Sequence, residues 1–215
     1  MSTTSSVKLM WVTPEAEKNI MYAARVSSNN QDSTDTRLLD YCIRNGHWSI
    51  FETANMMVEI KTSRTIARQI LRHRSFAFQE FSGRYQSFDT IGGDSDLLTS
   101  PRLQDPKNRQ NSTETEDEEL ARWWDKAQID VLYYSKNLYH QALKRGIAKE
   151  LARNLLPEGL TDSKMYMNGS LRSWLHYIDL RTGNGTQKEH IDVANQVKQI
   201  FCEQFPIIAK SKGWL

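Results

Sequence analysis

Cysteine is scarce in this sequence, whose 215 residues include only Cys42 and Cys202. The chain has no C-x-x-C pair, so it lacks the pattern of a disulfide scaffold or of a zinc ribbon. Both cysteines fall on apolar helix faces, which predicts packing rather than chemistry for them. A reducing compartment is the simplest setting for two such thiols, and we predict a cytoplasmic protein.

The sequence also lacks long apolar runs, sorting signals, metal-ligand spacings and a strong net charge. No apolar run approaches the roughly 18 residues that cross a membrane, and the N-terminus lacks the basic start and apolar core of a secretory signal. The five histidines show no ligand spacing, so we predict no metal. No glycine-rich nucleotide motif is present. Lysine and arginine total 28 against 26 acidic residues, so bulk charge does not indicate a nucleic-acid binder.

Length and composition predict one folded domain spanning residues 1–215. A chain of this length buries enough surface to fold without a disulfide or a metal, and a charged fraction of 25% is ordinary for a globular protein. Residues 91–118 differ from the rest, because they combine Gly, Pro, Asn, Ser and Asp with an acidic run. We predict a long mobile surface loop there.

Hydrophobic periodicity predicts a mixture of helices and strands. Alternating apolar residues indicate strands at 8–12 and 55–61. Ser63 is the expected N-cap of a following helix, and Thr186 with Glu189 is expected to form a capping box. Since helices and strands do not alternate regularly, the predicted fold class is α+β. Helical spacing of apolar residues predicts helices at 14–27, 34–45, 64–73, 119–145, 147–156, 165–180 and 187–205.

An arginine stripe is the densest chemical signal. Arg64, Arg68 and Arg72 follow at four-residue spacing on one predicted helix face, and Gln69 shares that face. A solvated helix surface is one explanation of the stripe. The other is an anion site for a nucleotide, because guanidinium forks suit bidentate phosphate recognition. The stripe runs into residues that a phosphate or a pyrimidine edge can use, namely His73, Arg74, Glu80, Ser82, Gly83 and Arg84.

These residues carry a resemblance to a known family. The triplet Arg-His-Arg at 72–74, followed after seven residues by Ser-Gly-Arg at 82–84, resembles the signature of the flavin-dependent thymidylate synthases. The segments AARVS (23–27), GHWSIFE (46–52), LARNLLP (151–157) and the residues 168–181 resemble other motifs of that family.

The resemblance implies a fold and a reaction. The fold would be α+β, with mixed helices around a small, mostly antiparallel sheet, and not a Rossmann domain. The reaction would be the reductive methylation of dUMP to dTMP. Methylenetetrahydrofolate would donate the one-carbon unit, and FAD reduced by NADPH would supply the hydride. The expected assembly is a homotetramer whose active sites are each built from several subunits, with neither nucleic acid nor membrane as a partner.

The resemblance also implies residue roles. Arg181 would be catalytic, because its guanidinium stays charged and can stabilise enolate charge that develops on the uracil. The flavin would contact His47, Ser49, Glu52, Arg72, His73, Arg74, Glu80, Ser170, Arg172 and His176. The nucleotide would contact Gln69, Arg72, Glu80, Phe81, Ser82, Gly83, Arg84, Arg153 and Arg181.

Three positions depart from the family pattern, which often has His, Pro and Asn where Thr53, Ile50 and His176 stand. His176 shares a helix face with Arg172 and Asp179, so it either points at the flavin with Arg172 or rests against Asp179. For Arg181, the predicted helix geometry leaves two alternatives. It lies past a bend, or it serves the site of another subunit.

Other features keep more than one interpretation. Ser82 is expected to bind rather than attack, since no histidine stands at a spacing that would activate it. His140 and His190 are expected at the surface or in helix caps. We expect the adjacent aromatics of the long helix to lie in the core or in a subunit interface. These aromatics are Trp123, Trp124, Tyr133 and Tyr134.

A second function class is a non-catalytic module that binds a nucleotide or single-stranded nucleic acid. The arginine stripe would contact phosphates in that case, and residues 81–90 are aromatic-rich and expected to be extended. Bases would then stack on Phe76, Phe78, Phe81 and Tyr85.

Overall fold

The computed structural model describes residues 5–91, 97–183 and 185–215. Part of the predicted loop, residues 92–96, therefore lies outside the described residues. Within the described ranges, no helix combines the length and apolar character needed to cross a membrane. The strands are β1 (Ser6–Val12), β2 (Asn55–Ser63), β3 (Ala77–Glu80), β4 (Arg102–Gln104), β5 (Ser112–Glu114) and β6 (Asp162–Ser170). The helices are α1 (Ala16–Ala24), α2 (Arg37–Arg44), α3 (Arg64–Ile70), α4 (Glu118–Lys144), α5 (Lys149–Ala152), α6 (Leu171–Arg181), α7 (Lys188–Gln204) and α8 (Pro206–Ser211).

The main sheet has four strands in the order β1-β2-β6-β3, and every neighbouring pair is antiparallel. The central pair, β2 and β6, runs in register from Asn55 opposite Ser170 to Ser63 opposite Asp162. This antiparallel sheet with its helices confirms the predicted α+β class. It excludes a Rossmann arrangement, which is built on parallel strands.

A repeated local device connects the two central strands to the helices that bear site residues. Strand β2 ends at Ser63, whose hydroxyl accepts a hydrogen bond from the Ile66 amide and starts α3, as predicted. Strand β6 ends at Ser170, whose hydroxyl accepts from the Ser173 amide and starts α6. Because β2 and β6 are antiparallel, the two helices leave from opposite ends of the pair.

The core lies between the sheet and helices α6, α7 and α8. Alternate residues of the central strands, such as Met56, Val58 and Met167, are fully buried. Trp174 on α6 has no exposed surface, and its indole nitrogen donates to the Met56 carbonyl at 2.9 Å. Phe76 packs edge-on to Trp174, with ring centroids 4.6 Å apart.

We expect Trp174→Ala to lower the free energy of unfolding by about 3–5 kcal/mol, because it leaves a cavity in this core and an unpaired carbonyl. Denaturant titration of purified protein measures the change. Tyr22→Ala is the matched control, since Tyr22 is half exposed on α1, and it should cost less than about 0.5 kcal/mol. Equal losses in the two variants would contradict this view of the core.

Several predicted boundaries are wrong. Residues 162–170 form β6, and the helix predicted at 165–180 begins only at Leu171. The predicted opening of a helix at Pro14 fails because Glu15 adopts a left-handed backbone, with φ of 49°, and α1 starts at Ala16. Helix α3 ends at Ile70, and the extended segment predicted at 81–90 lies earlier, at β3.

The segment predicted as a mobile loop contains a β-hairpin of β4 and β5. The capping box is also absent. Helix α7 begins after Gln187, which makes no side-chain cap. The Glu189 carboxylate instead forms two hydrogen bonds with Arg102 of β4, at 2.6 and 3.0 Å. The Arg102 guanidinium therefore pairs with Glu189, whereas the capping-box pattern had predicted a backbone amide as its partner.

Candidate active site

One group of the expected flavin residues gathers where the exposed face of α6 meets a 3₁₀ turn at Trp48–Thr53. Arg172 donates to the Glu52 carboxylate at 2.9 Å. A hydrogen bond from Ser170, and then the Arg172 guanidinium, lowers the pKa of Glu52. His47 immediately precedes this turn, at its N-cap position, and Ser49 lies within it; both are exposed.

His176 lies one helical turn beyond Arg172 on the same exposed face. Its ring contacts Trp48 edge-on, with centroids 4.9 Å apart. Asp179, the alternative partner, is paired with Lys212 at 2.6 Å. The Trp48 indole therefore orients the His176 imidazole. The exposed edge of the imidazole stays available beside Arg172.

A second group centres on Arg181 and His73. Arg181 is the last residue of α6, so the bend before it, one of the two alternatives, is absent. Its Nε donates to His73 Nε2 at 2.8 Å. Burial, followed by repulsion from Arg181 and Arg72, lowers the pKa of His73 to about 4. His73 is thus neutral at physiological pH and acts as the acceptor that fixes the arginine.

A third group follows β3. The Ser163 hydroxyl donates to Glu80 at 2.6 Å. Arg84 forms an ion pair with the Glu150 carboxylate at 3.3 Å, and Arg153 Nε donates to the Glu150 carbonyl. In this way Glu150 brings Arg84 and Arg153, far apart in sequence, to one place.

Glycine is required at position 83 by close packing. A Cβ there would stand 2.3 Å from the Phe88 ring. Phe88 in turn packs against Phe81, with centroids 5.5 Å apart, and lies under the Arg64 guanidinium. The loop bearing Phe81, Ser82 and Gly83 is therefore held by an aromatic contact that any larger residue at 83 would displace.

No direct contact links these three groups to one another among the described residues of one chain. Among the described residues, no hydrogen bond, ion pair or ring contact joins a site residue of one group to a site residue of another. The expected flavin and nucleotide roles of individual residues therefore stay predictions.

Two of the arginines expected to hold the flavin leave their charges unpaired. Arg72 and Arg74 are exposed and form no side-chain hydrogen bond or ion pair within the described ranges. The pyrophosphate of a dinucleotide such as FAD carries negative charge that two such guanidiniums can neutralise. The residues present therefore fit that cofactor. In the same ranges, no group of three or more His, Cys, Asp or Glu side chains could hold a metal ion.

His190 was missed as a site residue, because its expected place was the surface or a helix cap. It is completely buried, and its ring nitrogens contact Tyr177 and Gln69. Burial, followed by Arg181, His73 and Arg72, lowers the pKa of His190 to about 3. In the sequence, the only signal was its place four residues before Ala194 on the apolar stripe of α7.

We expect the free energy of unfolding to fall as the pH is lowered from about 6.5 towards 4. His73 and His190 have pKa values below the ordinary 6.5 in the folded state, so the unfolded chain binds more protons in this range and acid favours unfolding. Denaturant titrations at several pH values measure the slope, which should be smaller in His190→Gln. An unchanged slope in that variant would contradict the buried neutral imidazole.

The stacking surface of a nucleic-acid module is incomplete. Phe76 is buried against Trp174 in the core, and Phe78 is only partly exposed. By contrast, the aromatics of α4 face outward. Trp123, Tyr133 and Tyr134 are 61%, 69% and 68% exposed, while the Trp124 indole donates to the Thr99 carbonyl. These three exposed side chains do not belong to the core of the single chain.

Comparisons with known proteins agree on one family. The family model described as thymidylate synthase complementing protein matches residues 8–207. A probable flavin-dependent thymidylate synthase of Paramecium bursaria Chlorella virus 1 is 53% identical over 207 residues, which cover 93% of this chain and 92% of the relative. A flavin-dependent thymidylate synthase of Synechocystis sp. is 49% identical over 196 residues, covering 91% and 88%.

A solved structure supports the same assignment. The UMP/dUMP methylase PolB from Streptomyces cacaoi, bound with 5-Br dUMP, superposes with a TM-score of 0.81 at 25% identity. The match covers 96% of this chain and 93% of that protein. With the antiparallel sheet, the family-model match and the two close relatives, these findings show that the chain belongs to the thymidylate synthase complementing protein family, the flavin-dependent thymidylate synthases.

Proposed function

We propose that this flavin-dependent enzyme converts dUMP to dTMP, with methylenetetrahydrofolate as the one-carbon donor and NADPH as the reductant of bound FAD. The observation that carries the proposal is the contact between Arg181 and the neutral His73. Because Nε is engaged, the two terminal nitrogens of the guanidinium are left to face the uracil. A fixed positive charge there favours the ionised, enolate form of the uracil, and this form activates the ring carbon C5 to accept the one-carbon unit.

The nucleotide is proposed to bind between the second and third groups of residues. Gln69, Arg72 and Arg181 lie on the helix side, and Phe81, Ser82, Gly83, Arg84 and Arg153 on the side of β3, where Glu80 also lies. Arg84 and Arg153 are suited to the phosphate, since Glu150 alone neutralises part of their combined charge.

The flavin is proposed to lie over Arg72, His73 and Arg74, with the unpaired guanidiniums of Arg72 and Arg74 at its phosphates. Glu52, Ser170, Arg172 and His176 would line the far side, together with His47, Ser49 and Glu80. When bound, reduced FAD supplies the hydride that completes the methyl group. The residues of this chain would hold the cofactor in place.

A homotetramer with shared active sites is the proposed assembly. Its support is the lack of direct contact between the three groups within one chain, together with the outward-facing aromatics Trp123, Tyr133 and Tyr134. Aromatic side chains are enriched in interface cores. The free thiols of Cys42 and Cys202 support a cytoplasmic location.

Tritium release tests the reaction directly. dUMP labelled at C5 is incubated with the enzyme, FAD, NADPH and methylenetetrahydrofolate, and each component is omitted in turn. Release that requires all of them supports the proposal. Absence of release from a yellow, folded oligomer would overturn the reaction, and a colourless protein that binds nucleotide would favour the binding module.

We expect Ser82→Ala to reduce dTMP formation by about fivefold without abolishing it, because one hydrogen bond to the nucleotide is worth about 1 kcal/mol. Steady-state kinetics with varied dUMP measure the effect, which should fall mainly on KM. Complete loss of turnover with intact dUMP binding would instead identify Ser82 as a nucleophile.

A further inference from the structure

A chain of hydrogen bonds runs behind the proposed nucleotide site, from buried Tyr177 and His190 through half-buried Gln69 and exposed Gln187 to buried Glu189. It joins four elements, because its members come from α6, α7, α3 and β4. The Tyr177 hydroxyl is 3.1 Å from His190 Nε2, and His190 Nδ1 is 3.3 Å from Gln69 Oε1. Gln69 Nε2 is 2.7 Å from Gln187 Oε1.

The chain ends at a charged pair. Gln187 Nε2 is 2.8 Å from Glu189 Oε2, and the Glu189 carboxylate takes two hydrogen bonds from Arg102. Glu189 is 7% exposed and the Arg102 side chain 16%. An ionised carboxylate accepts hydrogen bonds and never donates them, so Glu189 can only be an acceptor at this end of the hydrogen-bond chain.

The acceptor role of Glu189 fixes which group donates and which accepts in each of the other hydrogen bonds. Gln187 must turn its amide nitrogen to Glu189, which leaves its oxygen as the acceptor for Gln69. Gln69 therefore presents its own nitrogen to Gln187 and its oxygen to His190. His190 must then carry its proton on Nδ1, and its bare Nε2 accepts from the Tyr177 hydroxyl. Neutral His190 satisfies both contacts, whereas a cation could not accept from tyrosine.

We propose that Glu189 is a positioning residue, which fixes the donor–acceptor direction of this chain and thereby the orientation of the Gln69 amide towards the nucleotide. The proposal rests on the proposed function, because Gln69 is expected to contact dUMP. Half-buried Gln69 retains one N–H and one oxygen lone pair for a ligand. With the chain locked, these two groups have fixed places before the nucleotide binds.

Preorganisation of this kind acts on binding. A glutamine that is free to flip presents the wrong atom half of the time and must be ordered when the ligand arrives. Glu189→Gln removes the obligatory acceptor, because the new amide can donate its NH₂ to Gln187. The donor and acceptor roles can then reverse in every hydrogen bond of the chain. We expect Glu189→Gln to raise the KM for dUMP and its dissociation constant by about tenfold, with kcat changed less than about threefold.

Three variants separate positioning from stability. Glu189→Asp keeps an obligatory acceptor and should restore most of the affinity for dUMP. His190→Gln interrupts the chain while leaving the ion pair of Glu189 and Arg102 in place, and it should raise KM as Glu189→Gln does. Glu59→Gln is the matched control, because it removes a partly buried carboxylate that pairs with Lys164 on the sheet, and it should leave KM unchanged.

The direction of the chain has its own measurement, independent of turnover. Solid-state ¹⁵N NMR of histidine-labelled holoenzyme, assigned by comparison with His190→Gln, reports which ring nitrogen carries the proton. We expect Nδ1–H in the wild type and a mixture of tautomers in Glu189→Gln. Nε2–H in the wild type would overturn the inference even if the enzyme makes dTMP, and failure of the reaction with Nδ1–H observed would overturn only the proposed function. Where Glu189→Gln fails to fold, the wild-type tautomer and Glu189→Asp decide the question.

Discussion

Arg181→Ala is expected to lower dTMP formation by about 10²–10³-fold at saturating dUMP, the cost of removing one preorganised donor from a developing oxyanion. Arg181 contacts His73 and sits at the end of α6, where its terminal nitrogens are free of other contacts among the described residues. Its removal deletes the fixed positive charge beside the uracil. The core residues of α6, including Trp174, are untouched, so the variant should fold.

Two control variants test whether the loss of rate comes specifically from the guanidinium of Arg181. Arg181→Lys keeps a positive charge but loses the planar fork, so it should recover only part of the rate. Arg109→Ala removes an exposed arginine from the hairpin and should retain the full rate. Wild-type turnover in Arg181→Ala would remove Arg181 from the reaction, and a lower melting temperature in that variant would assign its effect to folding.

The double variant Tyr133→Glu, Tyr134→Glu is expected to yield a smaller, colourless and inactive protein. The two rings are more than two-thirds exposed on α4, and burying two carboxylates in a subunit interface carries a large desolvation cost. If each active site draws its three groups of residues from several subunits, dissociation also releases the flavin. Light scattering and the flavin absorbance of the purified protein measure both effects together.

A matched pair elsewhere tests whether charge alone explains that outcome. Tyr22→Glu with Val26→Glu adds the same two carboxylates at exposed positions of α1 and the turn after it. That variant should remain yellow and retain the wild-type size. A Tyr133→Glu, Tyr134→Glu protein of wild-type size with bound flavin would contradict both the interface and the shared sites.

Some local structure follows from short-range chemistry and was predicted closely. Ser63 caps α3 because its side chain reaches an amide three residues ahead. The long helix α4 was expected at 119–145 and spans Glu118–Lys144, because its signals are a periodic apolar stripe and a glycine at 146. In each of these cases the interacting groups lie within a few residues of one another.

Other elements depend on partners distant in sequence. Residues 165–170 of strand β6 were predicted to be helix. They form a strand because β2 and β3 flank them in the folded chain, and residues 162–170 alternate in burial there. Glu189 at the start of α7 resembled a capping residue, but its partner Arg102 lies in a hairpin 87 positions earlier. His190 resembled a surface residue because nothing local indicates Tyr177 or Gln69 as its neighbours.

The amino-acid sequence by itself determined the family of this protein, its fold class and the set of residues that resemble a flavin and nucleotide site. These depend on residue types at short spacings, which the chain carries whatever its conformation. Only the tertiary structure decided how Arg181 is held, why Gly83 cannot be larger and which way the amide of Gln69 faces. Those properties arise from contacts between residues far apart in sequence, because burial and hydrogen-bond direction exist only once the chain has folded.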